Sequence, residues 1–295
     1  WKLFLEEEGY VVLKDVLTLE EKDTAFNLFK KDINSVSPRF DFDNPETQNI
    51  DSLPAMYGKG MLVFNGFGQS DAMWNLRTNK TILSVFKKIY DCEELVTSLD
   101  GFSAFVSHEQ KSKSWLHVDQ NPKNSIYSIQ GAYNFIPVKN DSDAGFVVVP
   151  KSHIEYTPTV KHKKDWIVCD PQPIEKSVKL LIPPNCLILW NSKTIHANEG
   201  MKKQHRGLNR LTCYITYLPK ERRTEEIRKQ RINAYLTANT TSHWANKCEL
   251  KRYPFGFKSR YESRGFGKIK PLLEDEETTD GILKKKIPLE RYNLI

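Results

Sequence analysis

The stretch SWLHVDQNP (114–122) places a histidine and an aspartate, His117 and Asp119, two positions apart. In a β-strand, residues i and i+2 point to the same face, so an extended segment here would present both side chains together. The spacing alone is a weak signal, because the chain contains a second pair of the same kind at His153 and Glu155. Which of the two pairs is the better candidate to bind a metal therefore depends on the surrounding sequence.

A third candidate metal ligand lies in the stretch CLILWNSKTIHANEG (186–200). Its first residues form a hydrophobic strand, and His196 follows on a short polar segment. Two histidines and one carboxylate make up the facial triad of non-haem Fe(II) oxygenases, which leaves metal positions open for a co-substrate and dioxygen. We therefore predict that His117, Asp119 and His196 bind one metal ion, with His196 approaching from a strand of the opposite sheet.

His153 is interpreted instead as a structural residue. It follows Pro150, where the chain leaves the predicted strand in AGFVVVPKSH (144–153). A histidine in that position is expected to hydrogen-bond a loop carbonyl. The pair His153 and Glu155 is therefore not assigned to the metal.

Residues 96–219 have the composition of a β-rich core. Short stretches of β-branched and aromatic residues, bounded by Gly, Pro, Asn or Asp, predict the strands of a β-sandwich or small barrel. The polar stretch KNDSDAG (139–145) is read as a hairpin-type connection between two of them. These stretches are LVTSLDGFSAFVS (95–107), SIYSIQGAYNFIPV (125–138), AGFVVVPKSH (144–153), SVKLLIPPNCLILW (177–190) and NRLTCYITYLP (209–219).

The flanking parts of the chain are more helical. Residues 1–95 open with a predicted strand at Tyr10–Leu13, and Thr18 and Glu21 form a capping box before a helix. Residues 220–295 are read as a helical and irregular C-terminal extension. Two helices are predicted from apolar residues at helical spacing: Ala25, Phe26, Phe29 and Ile33 in the first, and Ile82, Val85, Phe86 and Ile89 in the second.

The composition is that of an ordinary globular protein, with 39% hydrophobic and 27% charged residues. No apolar run approaches the roughly 18 residues that cross a bilayer, and no signal peptide is visible, so we expect no membrane partner. The five cysteines are odd in number and lack a C-x-x-C pair, which favours reduced thiols in an intracellular, cytoplasmic setting.

The net charge of +7 suits an anionic small molecule as a binding partner. Nucleic acid is disfavoured as a partner because no DNA- or RNA-binding motif accompanies the charge, and a monomer is slightly favoured.

Several of these stretches together resemble the phytanoyl-CoA dioxygenase-like (PhyH) members of the Fe(II)/2-oxoglutarate-dependent oxygenases. The resemblance covers about residues 8–220 and implies a double-stranded β-helix (a jelly roll, cupin-like) with flanking helices, in a single oxygenase domain over residues 1–295. GFGQSDAMWNLRTN (66–79) and TANTTSHW (237–244) further resemble a branch of that family from algae, protists and large viruses. The main stretches are GYVVLKDVLT (9–18), WLHVDQNP (115–122), SIQGAYNFIPV (128–138), DAGFVVVPKSH (143–153), LILWNSKTIHAN (187–198) and NRLTCYITYLP (209–219).

The resemblance implies an enzyme that uses Fe(II), 2-oxoglutarate and O2, and that releases succinate and CO2. An arginine would grip the 5-carboxylate of 2-oxoglutarate. Family spacing favours Arg206, but Arg210 directly precedes the strand Leu211–Tyr217, and we choose Arg210 because its side chain is anchored on a rigid element. Gln130 and Asn134 share a strand face and are candidates to hydrogen-bond 2-oxoglutarate or a metal-bound water, an ordinary polar outer face being the alternative.

For the substrate, Trp74 and Arg77 combine an apolar wall with a cation, which suits an anionic group, and a plain helix N-terminus is the alternative interpretation. We predict a small, anionic organic substrate that is hydroxylated, or oxidatively cyclised or desaturated as in kainoid-type secondary metabolite biosynthesis. Asp119 argues against halogenation, because halogenating relatives replace the carboxylate with a small residue. The alternatives are an oxygenase acting on nucleic acid or a protein side chain, a non-catalytic jelly-roll binding protein, and a cupin-type site for zinc or another metal.

Overall fold

The computed structural model describes residues 1–57, 60–107, 110, 115–156, 164–252 and 287–295. The chain divides into two compact units, one made of residues 1–16 and 104–212, the other of residues 17–103 and 213–295. Within the described ranges, no helix has the length and apolar character needed to cross a membrane. All five cysteines are free thiols.

The helices and strands are numbered in chain order. The strands are β1 (Tyr10–Leu13), β2 (Met61–Leu62), β3 (Leu95–Thr97), β4 (Phe102–Phe105), β5 (His117–Val118), β6 (Ile129–Asn134), β7 (Gly145–Val148), β8 (Ile167–Val168), β9 (Val178–Lys179), β10 (Cys186–Asn191), β11 (His196–Glu199), β12 (Arg210–Tyr214) and β13 (Tyr217–Pro219). The α-helices are α1 (Lys2–Glu8), α2 (Leu19–Val36), α3 (Asp71–Arg77), α4 (Lys80–Tyr90), α5 (Ser152–Glu155), α6 (Glu225–Leu236) and α7 (Leu289–Leu294). Single turns of 3-10 helix occur at Pro45–Thr47, Ile50–Ser52, Phe67–Gln69, Ile174–Lys176 and Lys220–Arg222.

The first unit is a sandwich of two sheets, and this confirms the predicted mainly β jelly roll with flanking helices. One sheet, here called the ligand sheet, has the strand order β8-β5-β11-β7-β9; the other, the supporting sheet, contains β1-β10-β6-β12-β4 in that order. Every residue of β6 and β7 is buried, because side chains pack on both faces of these strands. The predicted strand Tyr10–Leu13 is observed with those bounds and lies at the edge of the supporting sheet, opposite β10.

The polar stretch 139–145 connects strands in a different way from the prediction. It joins β6 of the supporting sheet to β7 of the ligand sheet, so it is a crossing between layers and not a hairpin. The turn is closed locally: Asp143 accepts hydrogen bonds from the backbone N–H groups of Lys139 and Asn140 at 2.8 and 3.1 Å. Turn composition therefore identified a connection correctly, but not the sheet to which the next strand belongs.

In the second unit, the two predicted amphipathic helices are confirmed. The Thr18 hydroxyl accepts from the Glu21 N–H, and the Glu21 carboxylate accepts from the Thr18 N–H, which is the predicted capping box. In α2 the side chains of Ala25, Phe29 and Ile33 are buried, while Phe26 is half-buried. The apolar face predicted for α4 is buried along its whole length, at Ile82, Val85, Phe86 and Ile89.

The predicted division into 1–95, 96–219 and 220–295 within a single domain stays a prediction. The jelly roll takes its first strand from the N-terminus, before Leu17. Within the predicted C-terminal extension, α6 is observed, and residues 253–286 lie outside the part of the chain that the structure describes.

Asp32 is a buried carboxylate that joins two helices of the second unit. Its Oδ2 accepts a hydrogen bond of 2.9 Å from the Ala72 N–H, in the first turn of α3. Burial raises the pKa of Asp32 to about 6, although the hydrogen bond from Ala72 acts in the opposite direction. The ionised form is therefore less favourable in the folded protein than in the unfolded chain.

We expect the free energy of unfolding to fall as the pH rises from about 4 to about 6.5, because the folded state holds a proton on Asp32 that the unfolded state has released. Asp32→Asn keeps a side-chain oxygen for the Ala72 N–H and removes the titration. The wild type should therefore lose about 2–3 kcal/mol relative to this variant across that pH range, measured by urea unfolding. A difference that is constant with pH would contradict the assignment.

Candidate metal centre

Three predicted side chains converge in the first unit. Ligand atoms of His117, Asp119 and His196 all lie within 4.8 Å of one another, and all three residues are buried. The Nε2 atom of His117 is 3.6 Å from Asp119 Oδ1, and Nε2 of His196 is 3.2 Å from Asp119 Oδ2. Within the described residues, this is the one cluster of His, Cys, Asp and Glu whose ligand atoms are close enough to share an ion.

Strand pairing brings the two histidines together. β5 and β11 are antiparallel neighbours in the ligand sheet, and His196 is the residue directly opposite His117. Their ring centroids are 4.5 Å apart. The expectation that His196 comes from the opposite sheet is therefore wrong: directly opposed residues of adjacent strands have side chains on the same face, which is the shortest route to a shared ligand position.

Asp119 lies just beyond the strand that carries His117, since β5 ends at Val118. The backbone stays aligned there because the Asp119 N–H donates to the carbonyl oxygen of Ser192 at 3.0 Å. The predicted i, i+2 relation between His117 and Asp119 is therefore preserved, although only its first half lies in a regular strand. Leu116 and Val118 pack on the opposite side in an apolar cluster with Val147 and Ile195.

Both imidazole rings are oriented by backbone carbonyls. The Nδ1 atoms of His117 and His196 lie 2.9 Å from the carbonyl oxygens of Trp115 and Thr194, respectively. A carbonyl oxygen can only accept, so each Nδ1 carries the proton and each Nε2 presents its lone pair to the cluster. This is the tautomer that metal binding through Nε2 requires, and it is set before any ion arrives.

The Asp119 carboxylate is held from the supporting sheet. Gln130 Nε2 donates to Asp119 Oδ2 at 3.0 Å and lies 3.4 Å from the Ser192 hydroxyl, which in turn donates to Ser128 Oγ at 3.0 Å. Of the two alternatives left open for Gln130, the structure has the inward one, and the hydrogen-bond partner is the carboxylate. Ser192 lies in the same chain of hydrogen bonds.

Aromatic rings surround the histidines. Trp115 stacks on His117 with centroids 4.6 Å apart and an interplanar angle of 21°. Phe146 and Trp190 lie 5.6 and 5.3 Å from His196. An apolar shell of this kind limits water access and lowers the local dielectric, which strengthens a charged interaction at the cluster.

The donor set fits a divalent first-row metal. With metal–ligand bonds of about 2.1 Å, donors at adjacent positions of one ion lie about 3 Å apart, close to the two Asp119–histidine separations. Two neutral nitrogens and one carboxylate on one side of an ion form the arrangement of non-haem Fe(II) sites. The residues present can therefore hold such an ion with small side-chain adjustments.

Arg210 lies in the same unit, at the first position of β12, and its side chain is almost completely buried. Its Nη1 donates to the Gly145 carbonyl at 2.8 Å and to Asn198 Oδ1 at 2.9 Å, and its Nε donates to Thr212 Oγ1 at 3.2 Å. Arg206, the alternative anchor, is exposed. The buried, strand-borne guanidinium is thus the one held inside the sandwich.

Asn134 does not contact the three candidate ligands through its amide hydrogen bonds. Its Nδ2 donates to the carbonyls of Ile136 and Pro183, and its Oδ1 accepts from the Thr212 hydroxyl at 3.3 Å. Since Thr212 also accepts from Arg210, Asn134 supports the guanidinium indirectly. The shared strand face with Gln130 was predicted correctly, but the two amides support different parts of the site.

Trp74 and Arg77 require a correction. Both are completely buried in the second unit, and the Arg77 guanidinium donates to the carbonyls of Gly68 and Asp100 at 2.6 and 2.8 Å. The Trp74 indole donates to Gln69 at 3.1 Å. The hydrogen bonds of this pair are made to groups of the second unit, so its observed role is to stabilise the unit in which it lies. The local sequence does not indicate that these two side chains are buried, because an aromatic residue near an arginine is compatible with a substrate site and with a protein core.

His153 has a structural role, as predicted, but the carbonyl that it contacts belongs to helix α1 and not to a loop. Its Nε2 lies 2.9 Å from the carbonyl oxygen of Glu6, which fixes the end of α1. Gly9, which follows that helix with φ of +80°, packs directly on the ring: an added Cβ would lie 2.4 Å from His153 Nδ1. His153 is not part of the candidate metal cluster found among the described residues.

Sequence reasoning missed two residues beside the cluster. Asn198, which accepts from Arg210, is two positions after His196 in β11, so strand alternation already placed it on the same face. Trp166 lies with its ring centroid 5.8 Å from that of His117. No local signal identifies Trp166, because its position depends on the pairing of β8 with β5.

No protein-family model matches the chain. Among curated proteins, it is 22% identical over 272 residues to the "Ava biosynthesis cluster protein O" of Aspergillus versicolor, with 82% of this chain and 86% of that protein covered.

Among solved structures, the chain is similar to the non-haem α-ketoglutarate-dependent epimerase SnoN from nogalamycin biosynthesis, with a TM-score of 0.52, 14% identity, and 74% of this chain and 81% of that chain covered. It is also similar to EctD from S. alaskensis with 2-oxoglutarate and 5-hydroxyectoine, with a TM-score of 0.51, 14% identity, and 76% and 77% covered. A third similar structure is HygX from Streptomyces hygroscopicus with nickel and 2-oxoglutarate bound. Its TM-score is 0.50 and its sequence identity is 12%, with 74% of this chain and 85% of that chain covered. At such identities the likeness shows the fold alone: this chain has the jelly-roll fold of 2-oxoglutarate-dependent non-haem oxygenase structures.

Proposed function

We propose that this protein is a non-haem Fe(II)/2-oxoglutarate-dependent dioxygenase that oxidises a C–H bond of a small organic substrate in secondary metabolism. The observation that carries the proposal is the convergence of His117, Asp119 and His196 in a jelly roll. SnoN is named as an epimerase of nogalamycin biosynthesis, EctD is described with 5-hydroxyectoine, and the Aspergillus relative is named as a biosynthesis cluster protein; these names support a small organic substrate. The predicted anionic character of the substrate, and hydroxylation, desaturation or cyclisation as the outcome, belong to this proposal.

The three side chains would hold a ferrous ion. Bound iron, together with 2-oxoglutarate and O2, supplies the oxidising power for the C–H bond while 2-oxoglutarate becomes succinate and CO2. The protein contributes two nitrogen donors in a fixed tautomer, and a carboxylate whose Oδ2 is held by Gln130. This pre-organisation reduces the rearrangement needed when the ion binds.

Arg210 would bind the distal carboxylate of 2-oxoglutarate. A planar guanidinium matches a carboxylate with two parallel hydrogen bonds, and burial strengthens the attraction. The contacts to Gly145, Asn198 and Thr212 hold its position on β12.

We assign the chain to the PhyH-like family, and to its algal, protist and viral branch, on the sequence stretches quoted above; both assignments are part of the proposal.

The function is tested by measuring succinate from 2-oxoglutarate with the purified protein under air. We expect succinate formation that requires added Fe(II) and stops with a chelator. Zinc in place of iron should not support turnover, because zinc has no redox chemistry. Absence of iron-dependent succinate, with a correctly folded protein that binds iron, would favour the non-catalytic binding module.

His117→Ala, Asp119→Ala and His196→Ala should each abolish iron-dependent succinate formation and weaken metal binding, because each removes one of three donors. His153→Ala is the matched control, since it removes a half-buried histidine of the same unit that contacts a backbone carbonyl. It should retain turnover. Metal affinity measured by titration calorimetry with Mn(II) reports on the same variants without turnover. Loss of metal binding in His153→Ala and not in His117→Ala would reverse the ligand assignment.

Arg210→Ala should raise the KM for 2-oxoglutarate by at least about tenfold, because a charge-assisted contact to the co-substrate is lost. Arg210→Lys keeps the positive charge but loses the planar guanidinium. Its KM for 2-oxoglutarate should lie between those of the wild type and Arg210→Ala, provided that circular dichroism shows a folded protein. Arg206→Ala, at an exposed position, should change KM less than about twofold. A larger effect at Arg206 would identify that residue as the anchor.

A further inference from the structure

Trp166 is a large aromatic side chain that remains half exposed beside a candidate metal ligand. Its side chain is 51% exposed, and its ring centroid is 5.8 Å from that of His117 at an interplanar angle of 49°. Exposed apolar side chains are common at protein surfaces when they occur singly. The position of this ring, in contact with a candidate ligand to the reactive ion, distinguishes it from such residues.

The backbone on both sides of Trp166 is anchored. After it, Ile167 is buried and pairs with Val118 in the ligand sheet. Before it, the Asp165 carboxylate accepts from Asn121 N–H at 3.3 Å and from Asn124 Nδ2 at 3.0 Å. The indole is thus exposed on a segment that is hydrogen-bonded to the loop directly following Asp119.

The other tryptophan beside His117 has a different role. Trp115 is half-buried, stacks on the imidazole, and donates its indole N–H to the Asn198 carbonyl at 2.9 Å. Its polar and apolar parts are both used within the protein. Trp166 instead leaves about half of its surface to solvent, where an apolar ligand would displace water from it.

We propose that Trp166 forms one wall of the substrate site and selects substrates with an apolar ring next to the C–H bond that is oxidised. The inference rests on the proposed function, since it takes the His117 cluster as the reaction centre. A flat indole face offers the largest contact area to a ring and less to a flexible chain. Such aromatic contacts contribute about 0.5–1.5 kcal/mol beyond area burial, which is about a twofold to tenfold preference.

The experiment uses the full chain labelled with 5-fluorotryptophan, whose six resonances are observed by 19F NMR. Trp166→Phe identifies the resonance of interest. The probes are 2-naphthoate and hexanoate, two carboxylates of equal charge of which only one carries rings, each added with Zn(II) and 2-oxoglutarate. We expect 2-naphthoate to shift the Trp166 resonance and to bind at least about fivefold more tightly than hexanoate.

Variants separate this role from a general effect on folding. Trp166→Ala should weaken 2-naphthoate binding at least about fivefold, and circular dichroism should show that the variant is folded. Trp166→Phe should retain part of the binding. Trp1→Phe is the matched control, because Trp1 is another half-exposed tryptophan of the same unit, at 43%. It should leave 2-naphthoate affinity unchanged.

Three results would overturn the inference: a Trp166 resonance that does not respond to millimolar 2-naphthoate, equal affinity for the two probes, or unchanged binding by Trp166→Ala. Each result can occur while iron-dependent succinate formation is normal. In that case the proposed oxygenase function is retained, and the proposed role of Trp166 in substrate binding is rejected. Conversely, ring-selective binding lost in Trp166→Ala, in a protein without succinate formation, would support a ring-binding site and reject the oxygenase.

Discussion

The antiparallel register between β5 and β11 is the constraint on which the rest of the site depends. Because His196 is directly opposite His117, the two imidazoles share one face of the sheet and lie within reach of one ion. A shift of one residue in this pairing would turn one ring to the other face, into the apolar cluster of Leu116, Val118 and Ile195. The register is secured by that cluster, since a shift would also expose its side chains.

Polar contacts between the two sheets complete the site. Gln130 on the supporting sheet reaches Asp119, which follows β5, and Arg210 on the supporting sheet reaches Gly145 and Asn198 on the ligand sheet. Buried polar groups are costly unless they are hydrogen-bonded, so these contacts are compatible only with a narrow range of sheet positions. The candidate metal and co-substrate positions are therefore defined by the same layer spacing that closes the core.

Local signals in the sequence predicted local structure well. The Thr18–Glu21 capping box, the strand Tyr10–Leu13 and the apolar face of α4 all appear as expected, because each depends on residues within a few positions. The His117–Asp119 pair was found by strand alternation, although the regular strand ends between them.

Non-local features were beyond the sequence. The sheet that carries His196, and the sheets joined by residues 139–145, depend on pairing between distant segments, and no local pattern specifies it. The exposure of aromatic side chains was also not predictable from the sequence. Trp74 and Arg77 were predicted to bind substrate but are buried in the second unit. Trp166 was not predicted to have a role, and it is exposed beside His117. Exposure is a property of the folded neighbourhood, so an aromatic residue by itself indicates neither role.

The hydrogen bond from Gln130 to Asp119 has a mechanical consequence. Gln130 belongs to one layer of the sandwich and the three candidate ligands to the other, so this hydrogen bond couples the position of the carboxylate to the spacing between the layers. An ion that binds only the folded form stabilises it against unfolding by its binding free energy. A change in layer spacing that broke the Gln130 contact would leave the carboxylate less firmly placed, and an ion would then bind more weakly.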